Sequence, residues 1–214
     1  MTPRGAESPA IRRVAGLLLV VACSPASAVA QAAADSIVYH VESQSRLEVL
    51  TGKAGLLSFA GHEHLIRARS FSGTVVFFPE APARSRVDIR VLAESLEVLT
   101  PPDTAEIRKV TETMRTAVLR VAEHPEIRLR STAVSMTPQG VEMLAALTLV
   151  GATRSVPVTL SLQRSADTLR AAGRFSVKQT EFGIRPYAGG PGGSVKVADR
   201  LDFTIDVTAV RRGG

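Results

Sequence analysis

The sequence predicts a mainly β protein that folds as an antiparallel up-and-down barrel or as a sandwich. From residue 126 onward, apolar residues recur at alternate positions in successive segments of about nine to eleven residues, the period of strands with one buried face. Helical periodicity is confined mostly to one insert, which favours a β architecture. The four apolar faces are Val141, Met143, Ala145, Leu147 and Leu149; Val156, Val158, Leu160 and Leu162; Leu169, Ala171, Gly173, Phe175 and Val177; and Leu201, Phe203, Ile205, Val207 and Ala209.

The first half of the chain predicts shorter strands. Val87, Ile89 and Val91 alternate with charged residues, which is typical of a strand with one buried face. An irregular break is expected over residues 61–70. The other predicted strands are 37–42, 46–53, 56–60 and 73–78.

A change of period marks the helical insert. Asp103 and Glu106 have the spacing of a capping box, and apolar residues then recur at helical intervals. Pro125 prevents continuation of a helix. The predicted apolar helix face is Ile107, Val110, Met114, Ala117 and Val121, and strand alternation resumes with Ile127, Leu129, Ser131 and Ala133.

The N-terminal segment is typical of an export signal. Arg12 and Arg13 precede a short apolar run, and Ala28-Val29-Ala30 is a small-residue cleavage site. The predicted organisation is therefore a signal peptide over 1–30, a linker over 31–36, a barrel domain over 37–210 and a tail over 211–214. An alternative is lipid attachment at Cys23, because Val20-Val21-Ala22-Cys23 resembles a bacterial lipoprotein box.

Composition excludes several functions. Cys23 is the only cysteine, so a chain cleaved after Ala30 has no thiol for catalysis, iron–sulfur ligation or cysteine-bound zinc. The net charge of +6 is scattered, without a basic run interleaved with aromatics, which argues against nucleic-acid binding. It is compatible with weak, transient contact with anionic lipid headgroups.

Several sequence strings occur in an order that resembles the YceI-like family of bacterial periplasmic proteins. Each string is weak alone, but together they extend over about residues 39–209, nearly the whole predicted mature chain. They include Gly61-His62-Glu63-His64, Phe71-Ser72-Gly73-Thr74, His124-Pro125-Glu126-Ile127, Gly151-Ala152-Thr153, Phe182-Gly183-Ile184 and residues 197–202.

The resemblance implies an eight-stranded antiparallel lipocalin-like β-barrel with a helical insert and a long tunnel. It further implies a periplasmic, non-catalytic protein without a cofactor that stores or carries a polyisoprenoid, such as a quinone tail. Family members are often dimers, so a homodimer is compatible with it. Two departures from the family pattern are Gln44-Ser45 in place of a His-Ser pair, expected to alter the tunnel mouth, and Ala117-Val118-Leu119 in place of bulky residues, expected to alter its width or end.

The residues alone leave two interiors open, a ligand cavity and a solid core. With no Trp, two Tyr and seven Phe, many inward positions are slender, which leaves room in an eight-stranded barrel for one thin ligand. The resemblance favours the cavity. The residues expected to line it are Phe59, Phe77, Ile89, Val91, Met114, Leu129, Leu147, Val158, Phe175, Phe182 and Phe203.

Polar residues are expected at the tunnel mouth. They are His62, His64, Arg185 and Tyr187. Because residues two apart in an extended segment point to the same side, His62 and His64 could also meet one metal ion. The alternative function is therefore a metal- or haem-dependent periplasmic enzyme or redox partner. A further alternative is a purely structural or stress-response interaction module with a filled core.

Overall fold

The computed structural model describes residues 36–54, 63–100, 104–189 and 195–212, which form one antiparallel twelve-stranded sheet and an α-helix. The predicted signal peptide and the predicted strand 56–60 lie outside these residues. The helix is α1 (Thr104–Thr113), and the strands are β1 (Ile37–Val41), β2 (Arg46–Ala54), β3 (His64–Ala68), β4 (Phe71–Phe77), β5 (Arg86–Leu92), β6 (Leu96–Val98), β7 (Glu126–Thr137), β8 (Gly140–Leu149), β9 (Ala152–Arg164), β10 (Thr168–Lys178), β11 (Ala188–Gly189) and β12 (Val195–Arg211).

The sheet closes into a barrel on β12. One edge of β12 pairs with β10, and the other pairs first with β2 and then with β1, so that Phe203 faces Val49 while Val210 faces His40. Because β1 also pairs with β4, the strands β1, β4, β5, β7, β8, β9, β10 and β12 form a closed ring of eight. The predicted eight-stranded antiparallel barrel with a helical insert is confirmed.

Three positions in the wall are occupied by interrupted strands. At each of these positions two successive strands are separated by a short break. They are β1 and β2, β3 and β4, and β5 and β6. At the first break the Ser45 hydroxyl donates to the Thr208 carbonyl oxygen at 3.1 Å and accepts from the Thr208 N–H at 3.0 Å. Ser45 thereby supplies the hydrogen bonds that the interrupted ladder lacks.

The break predicted over residues 61–70 is wrong for its central part. Here β3 pairs with β2 through Glu48, Val49, Leu50 and Thr51. The segment does not alternate clearly between apolar and polar residues, so its sequence alone does not indicate a strand. The segment nevertheless forms a strand, because its backbone N–H and C=O groups pair with those on the free edge of β2.

The barrel wall forks between β6 and β7. In the described residues β6 pairs with β3 alone, whereas β7 pairs with β5 and β8. Helix α1 and the π-helical turn after it occupy the gap, where Ile107, Val110 and Met114 pack in one apolar cluster with Leu96. The Arg115 side chain also donates to the Leu96 carbonyl oxygen at 3.0 Å, which covers part of the β6 edge.

The helix is shorter than its periodicity predicts. After Thr113 the chain continues as a π-helical turn, Met114–Val118, and the Leu119 N–H bonds to the Met114 carbonyl at 2.8 Å. The extra residue in this turn rotates the inward face. Val118 and Leu119 are therefore half-buried where α-helical spacing predicted Ala117, which is exposed, and Val121 lies beyond the helical segment.

The predicted strand faces are confirmed, with one correction in β7. Alternate residues of β8, β9, β10 and β12 are buried or half-buried on the predicted side. A bulge at Thr132 puts Ser131 opposite Ala145 but Ala133 opposite Leu144. The extra residue reverses the alternation, so Ala133 is exposed and Val134 is half-buried.

The predicted Gly-containing turn between β8 and β9 is present. Val150 and Gly151 both adopt left-handed backbone angles, with φ of 48° and 75°. This pair of angles matches the twist of the strands that a two-residue hairpin joins.

Within the described ranges, no helix combines the length and the apolar character needed to span a bilayer.

An ion pair fastens β5 to β7 just before the fork. Arg128 donates from Nε to Asp88 Oδ1 at 2.9 Å and from Nη2 to Asp88 Oδ2. These hydrogen bonds hold the pKa of the Asp88 carboxyl below its ordinary value. The pair therefore stabilises the fold above the unfolded-state pKa of about 3.9 and loses that effect as the pH falls through the folded-state pKa.

We expect Asp88→Asn to lower the free energy of unfolding by about 1 kcal/mol at pH 7, because it removes a bidentate, partly screened ion pair. The variant and the parent should converge in strong acid, where Asp88 is protonated in both states. Urea unfolding at the two pH values measures this. Asp206→Asn is the control, since the Arg46–Asp206 pair is 57% and 48% exposed and should contribute little; equal losses in both variants would contradict the assignment.

Candidate functional site

The barrel contains a cavity of about 550 Å³ beside the fork. One side is formed by β2, β3 and β6, and α1 with the π-helical turn lines the gap. The other side is formed by β5, β7, β8, β10 and β12. The lining side chains are mainly Leu, Val, Ile and Phe. A concave apolar space with few polar groups is the usual form of a small-molecule site.

Most of the residues predicted to line a cavity lie in its wall. The two aromatic members face each other across β10 and β12 and stack, with ring centroids 4.7 Å apart and planes inclined by 7°. This cross-strand pair makes a flat, rigid piece of wall. The predicted residues in the lining are Ile89, Val91, Met114, Leu129, Leu147, Phe175 and Phe203.

Phe77 lines a second, smaller cavity of about 80 Å³. Ile89, Leu129 and Ile205 belong to the lining of both cavities and so form a constriction between them. The Arg164 guanidinium carbon lies 5.2 Å from the centroid of the Phe77 ring. The barrel interior is thus a large chamber followed by a constriction and a small chamber beside a cation–π contact.

Three predicted site residues line neither cavity, and two more are not described. Val158 and Phe182 are packed into the core, with 1% and 2% exposure, because β9 contributes no lining to the large chamber and Phe182 lies in the turn after β10. Arg185 is exposed and lines neither cavity. Phe59 lies outside the described residues.

The lining residues that are themselves exposed mark the opening of the large cavity. They are Lys109, Lys196 and Tyr187, with Glu106 half-buried beside them. Gly189 belongs here, since a Cβ at that position would lie 2.7 Å from the Tyr187 ring. Tyr187, one of the residues predicted for the mouth, is therefore an exposed residue of the cavity lining.

His64 also lines the cavity near this opening, where it begins β3. Its Nδ1 lies 2.9 Å from the Thr100 carbonyl oxygen. His62 lies outside the described residues, so the predicted pair is not described as a pair. Among the residues that the structure describes, no three His, Cys, Asp or Glu side chains are grouped as a metal site would require.

Gln179 is a lining residue that the sequence did not single out. It is 5% exposed, and its side-chain amide donates to the Ala198 carbonyl oxygen at 2.8 Å. Asp199 holds the same turn, because its carboxylate accepts from the Thr180 N–H at 2.9 Å and from the Thr180 hydroxyl at 2.8 Å. The hydrogen bond from the Thr180 N–H holds the pKa of Asp199 below its ordinary value.

The two departures from the family pattern have different places in the structure. Val118 and Leu119 line the cavity, so the second departure lies in the cavity wall. Ser45 is buried at the break between β1 and β2 and lines neither cavity. The expectation that Gln44-Ser45 alters the tunnel mouth is therefore wrong, because the Ser45 hydroxyl bonds to β12 within the wall.

The protein is thus an antiparallel β-barrel with a hollow, mainly apolar interior. Residues 40–209 match the YceI-like domain, and the chain belongs to that family. Among curated proteins, no sequence relative matches the chain.

Solved structures share this fold at low sequence identity. Burkholderia cenocepacia BcnA aligns with a TM-score of 0.63 and 15% identity, covering 79% of this chain and 99% of that one. A polyisoprenoid binding domain from Saccharophagus degradans, implicated in plant cell wall breakdown, aligns with a TM-score of 0.60 and 14% identity over 82% and 99% of the two chains. The Campylobacter jejuni YCEI protein aligns with a TM-score of 0.53 and 11% identity over 69% and 85%.

Tryptophan emission can test which face of β8 lines the cavity, because the chain has no Trp. Leu147 is 2% exposed and lines the cavity, whereas Leu144 on the same strand is 44% exposed. We expect blue-shifted emission, poorly quenched by acrylamide, from Leu147→Trp, and red-shifted, readily quenched emission from Leu144→Trp. Similar spectra from the two folded variants would contradict the face assignment.

Proposed function

We propose that this protein binds the tail of a polyisoprenoid or a similar long-chain amphiphile in its large cavity, and stores or carries it without catalysing a reaction. One observation carries the proposal, a mainly apolar chamber of about 550 Å³ whose exposed lining residues are Tyr187, Lys109 and Lys196. An apolar chain would fill the chamber, and its head would meet the polar opening. The polyisoprenoid binding domain with the same fold supports this ligand class.

The energetics suit a carrier. Removing one CH₂ group from water is worth about 0.8 kcal/mol, so a bound tail is strongly held against release into water. A membrane offers the tail the same gain. Exchange between membrane and barrel is then nearly balanced, and the small differences between the two environments decide loading and release.

The cavity volume sets the length of tail that fits. A cavity of about 150 Å³ encloses one benzene molecule, which has six carbon atoms. At the same density, 550 Å³ holds about 20 carbon atoms, or about four isoprene units. The constriction at Ile89, Leu129 and Ile205 limits further entry, and the small chamber adds space for only a few carbons.

The setting of this function is also a proposal. The N-terminal segment with Arg12, Arg13 and Ala28-Val29-Ala30 supports export to the periplasm, where an amphiphile needs a carrier between membranes. Transient contact with an anionic membrane would be favoured by Lys109 and Lys196 at the opening. A homodimer is compatible with this role.

Organic extraction tests the proposal directly. Protein purified from its own host should yield a long-chain lipid, and Leu147→Trp should lose most of it, because the indole occupies part of the chamber. Mass spectrometry of the extracts measures the lipid. Leu144→Trp is the matched control and should load normally; absence of lipid from the parent, or equal loading of both variants, would contradict the proposal.

Tail length gives a second test. In displacement of a fluorescent fatty probe by prenyl alcohols, affinity should rise with chain length to about 20 carbons and then level off, because later units find no further cavity. Leu129→Ala should move this limit to longer tails by widening the constriction. An affinity that still rises steeply at 40 carbons in the parent would show that the volume argument is wrong.

A further inference from the structure

Two polar side chains face each other in the apolar wall near the mouth. Thr51 of β2 and His64 of β3 are direct partners in the antiparallel ladder, and both line the large cavity. Partners of this kind have Cβ atoms about 4.5–5.5 Å apart. One small ligand group can therefore contact both side chains.

Among the described residues, the Thr51 hydroxyl has no hydrogen-bond partner. Thr51 is 7% exposed, and its Oγ1 atom is buried without a partner in the described structure. A buried hydroxyl in this state costs the fold stability, and nearly all such groups in proteins are paired. Valine has the same shape and no hydroxyl. Threonine at position 51 therefore lowers the free energy of unfolding of the empty barrel relative to valine.

The hydrogen bonds of Thr100 fix the ring of His64. The Thr100 carbonyl oxygen can only accept, so His64 Nδ1, 2.9 Å away, carries the hydrogen. In the neutral ring Nε2 is then an acceptor. The Thr100 hydroxyl also donates to the Glu63 carbonyl and accepts from the Leu65 N–H, at 3.1 and 2.9 Å, which holds the backbone on both sides of His64.

We propose that Thr51 and His64 recognise the uncharged hydroxyl head of the bound amphiphile. The ligand O–H donates to His64 Nε2. The ligand oxygen accepts from the Thr51 hydroxyl, which is shielded in the empty barrel and has to rotate toward the ligand. One alcohol group thereby pairs with both side chains. This inference rests on the proposed function, since it names the head group of the same bound molecule.

An anionic head fits these two groups less well. With its hydrogen on Nδ1, the neutral form of the His64 ring has a lone pair on Nε2, and this lone pair repels a phosphate or carboxylate oxygen. The cationic side chains of the opening are Lys109 and Lys196, and an anion would bind there, closer to water. Three ligands with one tail, a prenyl alcohol of twenty carbons, its methyl ether and its monophosphate, separate these cases.

The test compares the affinities of the three ligands for four forms of the mature protein. The parent should bind the alcohol about tenfold more tightly than the ether, which cannot donate. Thr51→Val and His64→Phe should each reduce this ratio to about twofold or less and leave ether binding nearly unchanged. Thr113→Val, which makes the same change on the helix side of the cavity, should keep the parent's ratio.

Stability of the empty protein provides an independent measurement. Thr51→Val without ligand should have a Tm equal to or above that of the parent, because it removes an unpaired buried hydroxyl. A clearly lower Tm would show that the hydroxyl serves the fold and would overturn the inference. This measurement does not depend on whether His64→Phe folds.

The binding outcomes separate the two proposals. Equal affinity of the parent for the alcohol and the ether, or tighter binding of the monophosphate, overturns the head-group inference and leaves the tail cavity standing. Failure of all three ligands to bind overturns the proposed function itself. A loss of the alcohol preference in Thr113→Val places the head against the helix and also overturns the inference.

Discussion

The pairing of β12 with two successive strands on one edge is the constraint on which the structure depends. Because β2 and β1 share this edge, a break in the first strand does not open the barrel. Ser45 completes the hydrogen bonding at the break. The closed ring leaves few free edges, and it lets the wall depart from regularity elsewhere without losing its continuity.

The wall departs from regularity at the fork between β6 and β7, and this fork creates the cavity. A fully regular ring of eight strands has an interior that side chains can nearly fill. Here β6 pairs with β3 and not with β7 in the described residues, and α1 with its π-helical turn packs against the apolar cluster at the gap. The large chamber lies beside this gap, while the far end narrows at Ile89, Leu129 and Ile205 to a space of about 80 Å³.

The polar groups of the mouth show a tension between stability and binding. Most of the wall is apolar, and the clusters around Leu147 and Val98 supply the burial that holds the fold together. Thr51 and His64 interrupt that wall near its opening, and an unpaired buried hydroxyl reduces stability. Local violations of packing rules tend to mark functional positions, which is why the pair carries the head-group inference.

The sequence by itself determined the strand faces of β8, β9, β10 and β12 and the turn at Val150-Gly151. It also determined the presence of a helical insert and the family. Each of these follows from alternation, turn chemistry or ordered motifs, which are local properties of the chain. Seven of the eleven residues that the sequence predicted as lining do line the large cavity, including Leu129, Leu147 and Phe175. Only the tertiary structure decided the rest. The bulge at Thr132 and the π-helical turn each add one residue that changes the phase, and periodicity alone does not locate such an insertion. The fork and the constriction depend on pairing between strands that are distant along the chain. The meeting of Thr51 with His64 depends on the register of β2 against β3, which the weak alternation of β3 does not specify.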